Sequence, residues 1–176
     1  MSHALKLLGQ AAKSEVNVLL LGETGVGKEL FARALFRNSA RAARPFVTVD
    51  CASLPESLVE SHLFGHSRGA FTGADRTREG LLLAADKGTL FLDEVGDLPQ
   101  PIQGAFLRAL ELRRFRPVGE VREVGSDFRL VAATNKNLEA MRATASPRGS
   151  QWVRISASGI RHKMSSSGPS SRSRRP

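Results

Sequence analysis

The 176-residue sequence has no tyrosine, one tryptophan (Trp152) and one cysteine (Cys51). A lone cysteine excludes an internal disulfide framework and a multi-cysteine zinc site. No run approaches the ~18 uninterrupted apolar residues of a membrane-spanning helix, so no membrane segment is expected. Met1 to Gln10 lack the charged start and long apolar stretch of a secretory signal, which makes the protein cytoplasmic by expectation. Acid is missing from one end: all 17 Asp and Glu residues lie at or before Glu139. Residues 142–176 carry eight basic residues, ten serines and no acid. The formal charge of +9 therefore resides almost wholly there, and residues 1–141 net only +1. Two compositions meet near Met141.

Residues 1–141 alternate strand-like and helix-like segments. Val16 to Leu21 is a short apolar run ending at Gly22, which reads as a buried strand. From Lys28 to Asn38, Leu30, Phe31, Ala34 and Leu35 recur at helical spacing. Phe46 to Val49 is a second strand, Leu54 to Leu63 a short helix and Thr89 to Leu92 a third strand. Pro99 opens a helix with Ile102, Phe106, Ala109 and Leu110 on one face. Phe128 to Ala133 is a fourth strand. This alternation predicts an α/β fold with a parallel sheet. Beyond Met141 the periodicity fails, and the Ser- and Arg-rich tail, residues 142–176, is expected to be disordered.

Gly22-Glu23-Thr24-Gly25-Val26-Gly27-Lys28 fits G-x-x-x-x-G-K between a predicted strand and a predicted helix. Glycines there let backbone N–H groups turn inward onto phosphate oxygens, and the helix N-terminus adds a favourable dipole. Lys28 supplies a point charge for the β- and γ-phosphates. Glu29 stands where the general motif has Ser or Thr. Leu90-Phe91-Leu92-Asp93-Glu94 is an apolar strand ending in two acids. Ligands of parallel sheets sit at the carboxyl ends of strands, so both acids are expected to face the phosphates. Asp93 suits magnesium and Glu94 suits the positioning of water. Asn135 ends the fourth strand and is placed to bond a γ-phosphate or the attacking water; taken alone, a Thr-Asn pair there is ordinary turn chemistry.

Gly69-Ala70-Phe71-Thr72-Gly73-Ala74 follows Glu60-Ser61-His62-Leu63-Phe64-Gly65-His66 and lies between the two nucleotide motifs. It is a small-residue loop displaying one aromatic ring and one hydroxyl. With Phe115-Arg116-Pro117-Val118-Gly119 and the Gly-Glu-Thr-Gly-Val-Gly-Lys-Glu form of the phosphate loop, the combination closely resembles the AAA+ ATPase domain of NtrC-like activators of sigma-54 RNA polymerase. The resemblance runs from about Leu5 to Met141. It implies a RecA-like core that binds ATP through Gly22 to Glu29. Asp93 and Glu94 are then the Walker B pair for magnesium and water, and Asn135 the sensor I residue. Asp50 stands where the family has a polar switch residue, often Asn, that pairs with the Walker B glutamate. Cys51 beside it reads as a small buried residue. Gly69 to Ala74 is then the tip that engages the sigma-54 factor of the polymerase holoenzyme. Family members work as a homo-oligomer, usually a hexameric ring, coupling hydrolysis to promoter opening. His62 stands where Glu is commoner, and His62 with His66 makes a weak case for a metal site.

The likeness is expected to end at Arg142. Family members continue there into a Phe-Arg-x-Asp-Leu-Tyr-Tyr-Arg-Leu-like block carrying an arginine finger. A fifth strand and a helical lid with a sensor II arginine follow. Arg148, Arg154 and Arg161 lie in sequence that does not match that block. The core is accordingly expected to be incomplete, with the 16–21 strand left as an apolar sheet edge, in a truncated or out-of-frame product with little turnover. A non-enzymatic nucleotide-binding module that poisons intact rings is an alternative. The basic tail gives another, a salt-dependent binder of nucleic-acid phosphates, although no DNA-binding domain is recognisable in the chain.

Overall fold

A computed structural model describes residues 3–135 and 152–156. The elements in chain order are α1 (His3–Ala12), β1 (Asn17–Leu21), α2 (Lys28–Arg37), β2 (Phe46–Asp50), α3 (Glu56–Phe64), β3 (Gly65–His66), β4 (Arg78–Glu79), α4 (Leu81–Ala84), β5 (Thr89–Asp93), α5 (Gln100–Leu112), β6 (Arg114–Phe115), β7 (Val124–Gly125), β8 (Arg129–Thr134) and β9 (Trp152–Ser156). Five strands form one sheet in the order β2-β5-β8-β1-β9, and every neighbouring pair is parallel. The other four make two short antiparallel pairs, β3 with β4 and β6 with β7.

Strand periodicity divides the core. Val18, Leu20, Phe91, Val131, Ala133 and Ile155 face one side of the sheet, where they pack with Leu8, Ala11, Ala32 and Leu35 of α1 and α2. Leu19, Val49, Leu90, Leu92, Leu130 and Ala132 face the other side, with Val59, Leu63, Leu82, Ile102, Phe106 and Leu110 from α3, α4 and α5. Both faces are thus covered by helices, which is why the central strands read as continuous apolar runs. Buried Arg129 at the start of β8 donates from Nε to the Val16 carbonyl, 3.2 Å, and from Nη2 to the Ala11 carbonyl. It ties the end of α1 to the sheet by satisfying a terminal carbonyl.

The parallel α/β core is as expected; the fifth strand, expected to be missing, is present. Asn17 to Leu21 of β1 pair in parallel register with Trp152 to Ser156, so β1 is an interior strand and not an apolar edge. Ile155 is 1% exposed and lies opposite Leu20. The physical reason is a short period-two signal: Val153 and Ile155 are β-branched and two apart, and two such residues suffice when a ready-made apolar edge supplies the rest of the burial. The remainder of the 142–176 tail lies outside the described residues. The structure adds α1, whose buried Leu8, Ala11 and Ala12 have helical spacing. Among the described residues, no helix is long and apolar enough to cross a membrane.

Candidate functional site

The carboxyl ends of β1, β8, β5 and β2 bring the sequence motifs to one rim of the sheet. Gly22 leaves β1 with its N–H on the Thr134 carbonyl, 3.3 Å. The loop then turns through Gly25 at φ 80° and Gly27 at φ 86°, backbone that glycine adopts without Cβ strain. Gly27 is the N-cap of α2 and carries no capping side chain. The first N–H groups of α2 therefore receive no side-chain cap from that residue, as a phosphate-accepting helix start requires.

Lys28 is 4% exposed. Its ammonium donates to the carbonyls of Gly22 (3.0 Å) and Glu23 (3.3 Å) and to Glu94 Oε1 (2.9 Å). Two loop carbonyls fix the Lys28 head, and Glu94 is the anion it holds. The second oxygen, Glu94 Oε2, accepts the backbone N–H of Asn135 at 3.0 Å. The Asn135 amide in turn donates to Thr24 Oγ1 at 3.0 Å. Lys28, Glu94, Asn135 and Thr24 thus form one hydrogen-bonded chain across three strand ends. Glu94 sits in left-handed backbone, φ 48° and ψ 49°, a conformation that costs a non-glycine residue about 1 kcal/mol. That turn sends its carboxylate toward the loop.

Asp93 ends β5, and its Oδ1 accepts the Glu94 N–H at 3.0 Å. Burial raises its pKa; the Glu94 N–H and the Lys28 charge oppose the shift, while the charges of Glu94 and Asp50 add to it. A divalent cation here would relieve that penalty. Asp93 is one half-buried carboxylate beside a phosphate-type loop, which is the sparse protein contribution that magnesium takes when phosphates supply other ligands. Among the described residues, no group of three or more His, Cys, Asp or Glu is arranged to hold a metal ion by itself. Glu29 points along α2 and receives Arg33 Nη2 at 2.8 Å.

Asp50 is the register partner of Asp93, at the end of β2. Its side chain is exposed and accepts the Ala52 N–H at 3.1 Å. Glu94 is engaged by Lys28 and Asn135 instead. Cys51 is buried, and burial first, then the charges of Asp50, Asp93, Asp97 and Glu94, pushes its thiol up to about 12. A thiol held protonated is a poor nucleophile. In the folded chain at pH 8, Cys51 is expected to alkylate at least about 100-fold more slowly than in denaturant, followed by mass spectrometry.

Gly69 to Ala74 form a compact tip between β3 and β4. Gly69 N–H bonds the Ala74 carbonyl (2.8 Å), and Ala74 N–H bonds the Phe71 carbonyl (3.0 Å). Gly69 and Gly73 take φ 80° and 96°. Phe71 is 38% exposed, and Thr72 is exposed beside it. The 116–123 loop braces the tip: Ser67 N–H bonds the Val118 carbonyl (3.0 Å), Val118 N–H bonds the Gly65 carbonyl (2.9 Å), and a Cβ on Gly119 would meet the Ala70 Cβ at 2.7 Å. His66 is buried with Nδ1 on Ser61 Oγ, 2.6 Å. Burial first, then Arg78 and His66, lowers the His62 pKa.

A glycine loop between a strand and a helix, a buried lysine at its mouth and an acidic strand end beside it define the fold as that of a P-loop NTPase domain. A solved P-loop NTPase domain of a sigma-54 activator from E. coli shares this fold, with a TM-score of 0.51 at 21% identity over 80% of each chain. The sigma-54 interaction domain family matches residues 1–161, and the chain belongs to that family. The match runs past the composition change at Met141 and takes in β9. The transcriptional regulatory protein GlrR of Escherichia coli K12 is 47% identical over 154 residues, 86% of this chain and 35% of that protein. The regulator VasH of Vibrio cholerae is 54% identical over 128 residues, 73% of this chain and 24% of that protein. The chain thus spans about a third or less of these relatives. Crystal structures of NtrX from Brucella abortus are 33% identical; one superposes with a TM-score of 0.77 over 88% of this chain and 36% of that one, and the ATP complex with 0.75 over 93% and 38%.

Proposed function

We propose that this chain is an ATP-binding domain of a transcriptional regulator that presents Gly69 to Ala74 to the sigma-54 factor. The observation that carries the reading is the convergence of Lys28, Glu94 and Asn135 on one phosphate-type loop. Gly22 to Glu29 bind the phosphates through backbone N–H groups and Lys28. With a triphosphate bound, the Lys28 ammonium would pair with its phosphates in place of Glu94, and Glu94 and Asn135 would be the groups at hand to orient water. Asp93 would hold magnesium, which would neutralise phosphate charge. Phe71 and Thr72 are the exposed apolar and polar groups that a partner protein covers.

Turnover by the chain alone is proposed to be slow. Residues 142–151 do not carry the Phe-Arg-x-Asp-Leu block through which related subunits complete one another's sites in a ring. An arginine supplied in trans is worth about 10³- to 10⁵-fold in rate for this chemistry. The test measures two bindings separately, a fluorescent ATP analogue and purified sigma-54 factor. Phe71→Ala is expected to weaken sigma-54 binding about tenfold or more while leaving nucleotide affinity within about twofold, since a central exposed aromatic is a typical interface anchor. Absence of nucleotide binding by the unsubstituted chain would overturn the reading.

A further inference from the structure

His66 is buried, yet its two neighbours lie in different parts of the molecule. One is Ser61 of α3, whose hydroxyl shares a 2.6 Å hydrogen bond with Nδ1. The other is Phe71 at the exposed tip, whose ring meets the imidazole in an edge-on contact, centroids 5.0 Å apart and planes at 62°. Ser61 is itself 6% exposed, so neither partner of the hydrogen bond is exchanging freely with water. The backbone at His66 is also fixed on two sides, by Arg78 of β4 and by a bridge to Val118. With its backbone so held, the imidazole keeps only its two side-chain torsions, and the Ser61 hydroxyl at Nδ1 restrains them. The Phe71 ring packs on that imidazole while more than a third of its surface faces solvent. The tip's own hydrogen bonds are all backbone to backbone, and they set the loop's path without setting the angle of the Phe71 ring.

We infer that His66, oriented by the buried Ser61 hydroxyl, is the positioning residue that sets how Phe71 is presented, so that α3 controls the exposed aromatic through a serine–histidine–phenylalanine relay. The consequence for a partner rests on the proposed role of the tip; the relay itself does not. Edge-to-face geometry is directional, so an imidazole turned about its axis no longer offers Phe71 the same contact. A single hydrogen bond of this kind is worth about a tenfold change in an equilibrium between ordered and loosened states.

The experiment uses the full 176-residue chain in solution. Side-chain NMR resonances of Phe71 and amide exchange at Phe71 to Gly73 are recorded for the unsubstituted chain, Ser61→Ala, Ser61→Thr and His66→Phe, with amides of β8 as the control for folding. Ser61→Ala is expected to move the Phe71 ring resonances and speed exchange at the tip about tenfold while β8 is unchanged. Ser61→Thr keeps the hydroxyl and is expected to restore both. His66→Phe keeps a buried ring without the Ser61 bond, and is expected to behave like Ser61→Ala. Unmoved Phe71 resonances in Ser61→Ala or His66→Phe, with β8 protected, would overturn the relay. Equal loosening of tip and β8 in both would overturn it too, since that is a merely structural role. Sigma-54 binding then reads the consequence: Ser61→Ala is expected to weaken it about three- to tenfold, and to add nothing when Phe71→Leu is present. Failure of the unsubstituted chain to bind sigma-54 would sink the proposed role of the tip and leave the NMR result to decide the relay.

Discussion

Lys28→Ala is expected to weaken binding of ATP at least about 100-fold, or about 2.7 kcal/mol. Lys28 is the cation at the mouth of the loop, and its ammonium is already held in place by the Gly22 and Glu23 carbonyls. A pre-positioned charge binds phosphate without first ordering a long side chain. The same substitution acts on the stability of the fold. Glu94 loses its cation while remaining 13% exposed and bonded to the Asn135 N–H, so a half-buried carboxylate is left without its countercharge. Removing one partner of such a pair is expected to cost about 2–3 kcal/mol of stability, somewhat less than for a fully buried one. Chemical denaturation without nucleotide measures the second effect, and titration with a fluorescent ATP analogue measures the first. A destabilised chain that still bound ATP normally would mean that Lys28 is structural and that the phosphates sit elsewhere.

Gly80→Ala is the second large change. Gly80 precedes α4 at the root of the β3–β4 hairpin, and a Cβ there would come to 2.5 Å from the Leu63 carbonyl oxygen and overlap the backbone of Phe64 and Gly65. Those atoms are backbone and have no rotamer to move into. Overpacking of this sort costs about 2–3 kcal/mol, or displaces the hairpin root to avoid it. Both outcomes disturb the tip and leave the nucleotide rim intact, so sigma-54 binding is expected to fall while ATP affinity holds. Gly104→Ala is the control. Gly104 lies inside α5, where an added Cβ would meet nothing within 4 Å, and alanine there is expected to stabilise the chain by about 0.5–1 kcal/mol through helix propensity. Equal losses in both variants would show that the hairpin root is not specially crowded.

Local strings made most of the core legible. Val16 to Leu21, Thr89 to Leu92 and Phe128 to Ala133 are each short apolar runs, and each lies at a strand within a residue or two. The phosphate loop is a contiguous seven-residue pattern, and Asp93 and Glu94 are adjacent to a strand end, so their placement on one rim needed only the rule for parallel sheets. The partners within the rim were not legible. That Glu94 takes Lys28 and the Asn135 N–H depends on a left-handed turn at Glu94 and on strand order, neither of which is written locally. The two-residue strands β3, β4, β6 and β7 are too short to show a period. Strand β9 was hidden for another reason: Val153 and Ile155 carry the right alternation inside a Ser- and Arg-rich stretch whose composition argues the opposite. Burial against β1, a property of the remote residues 17–21, outweighs that composition.

The neighbours of β1 also govern when the site can exist. β1 begins at Asn17, but the strands on either side of it begin at Arg129 and Trp152. As the chain is made, the strand that carries the phosphate loop has no partner on either flank for more than a hundred residues. Parallel pairings of such long separation close large loops before they gain any contact energy, which slows their formation. β2 and β5 are nearer in sequence and are expected to pair first, which would put the acidic strand end in place early. The glycine loop is then expected to be the last part of the rim to be fixed, which pulse-labelled amide exchange during refolding would show as late protection of β1.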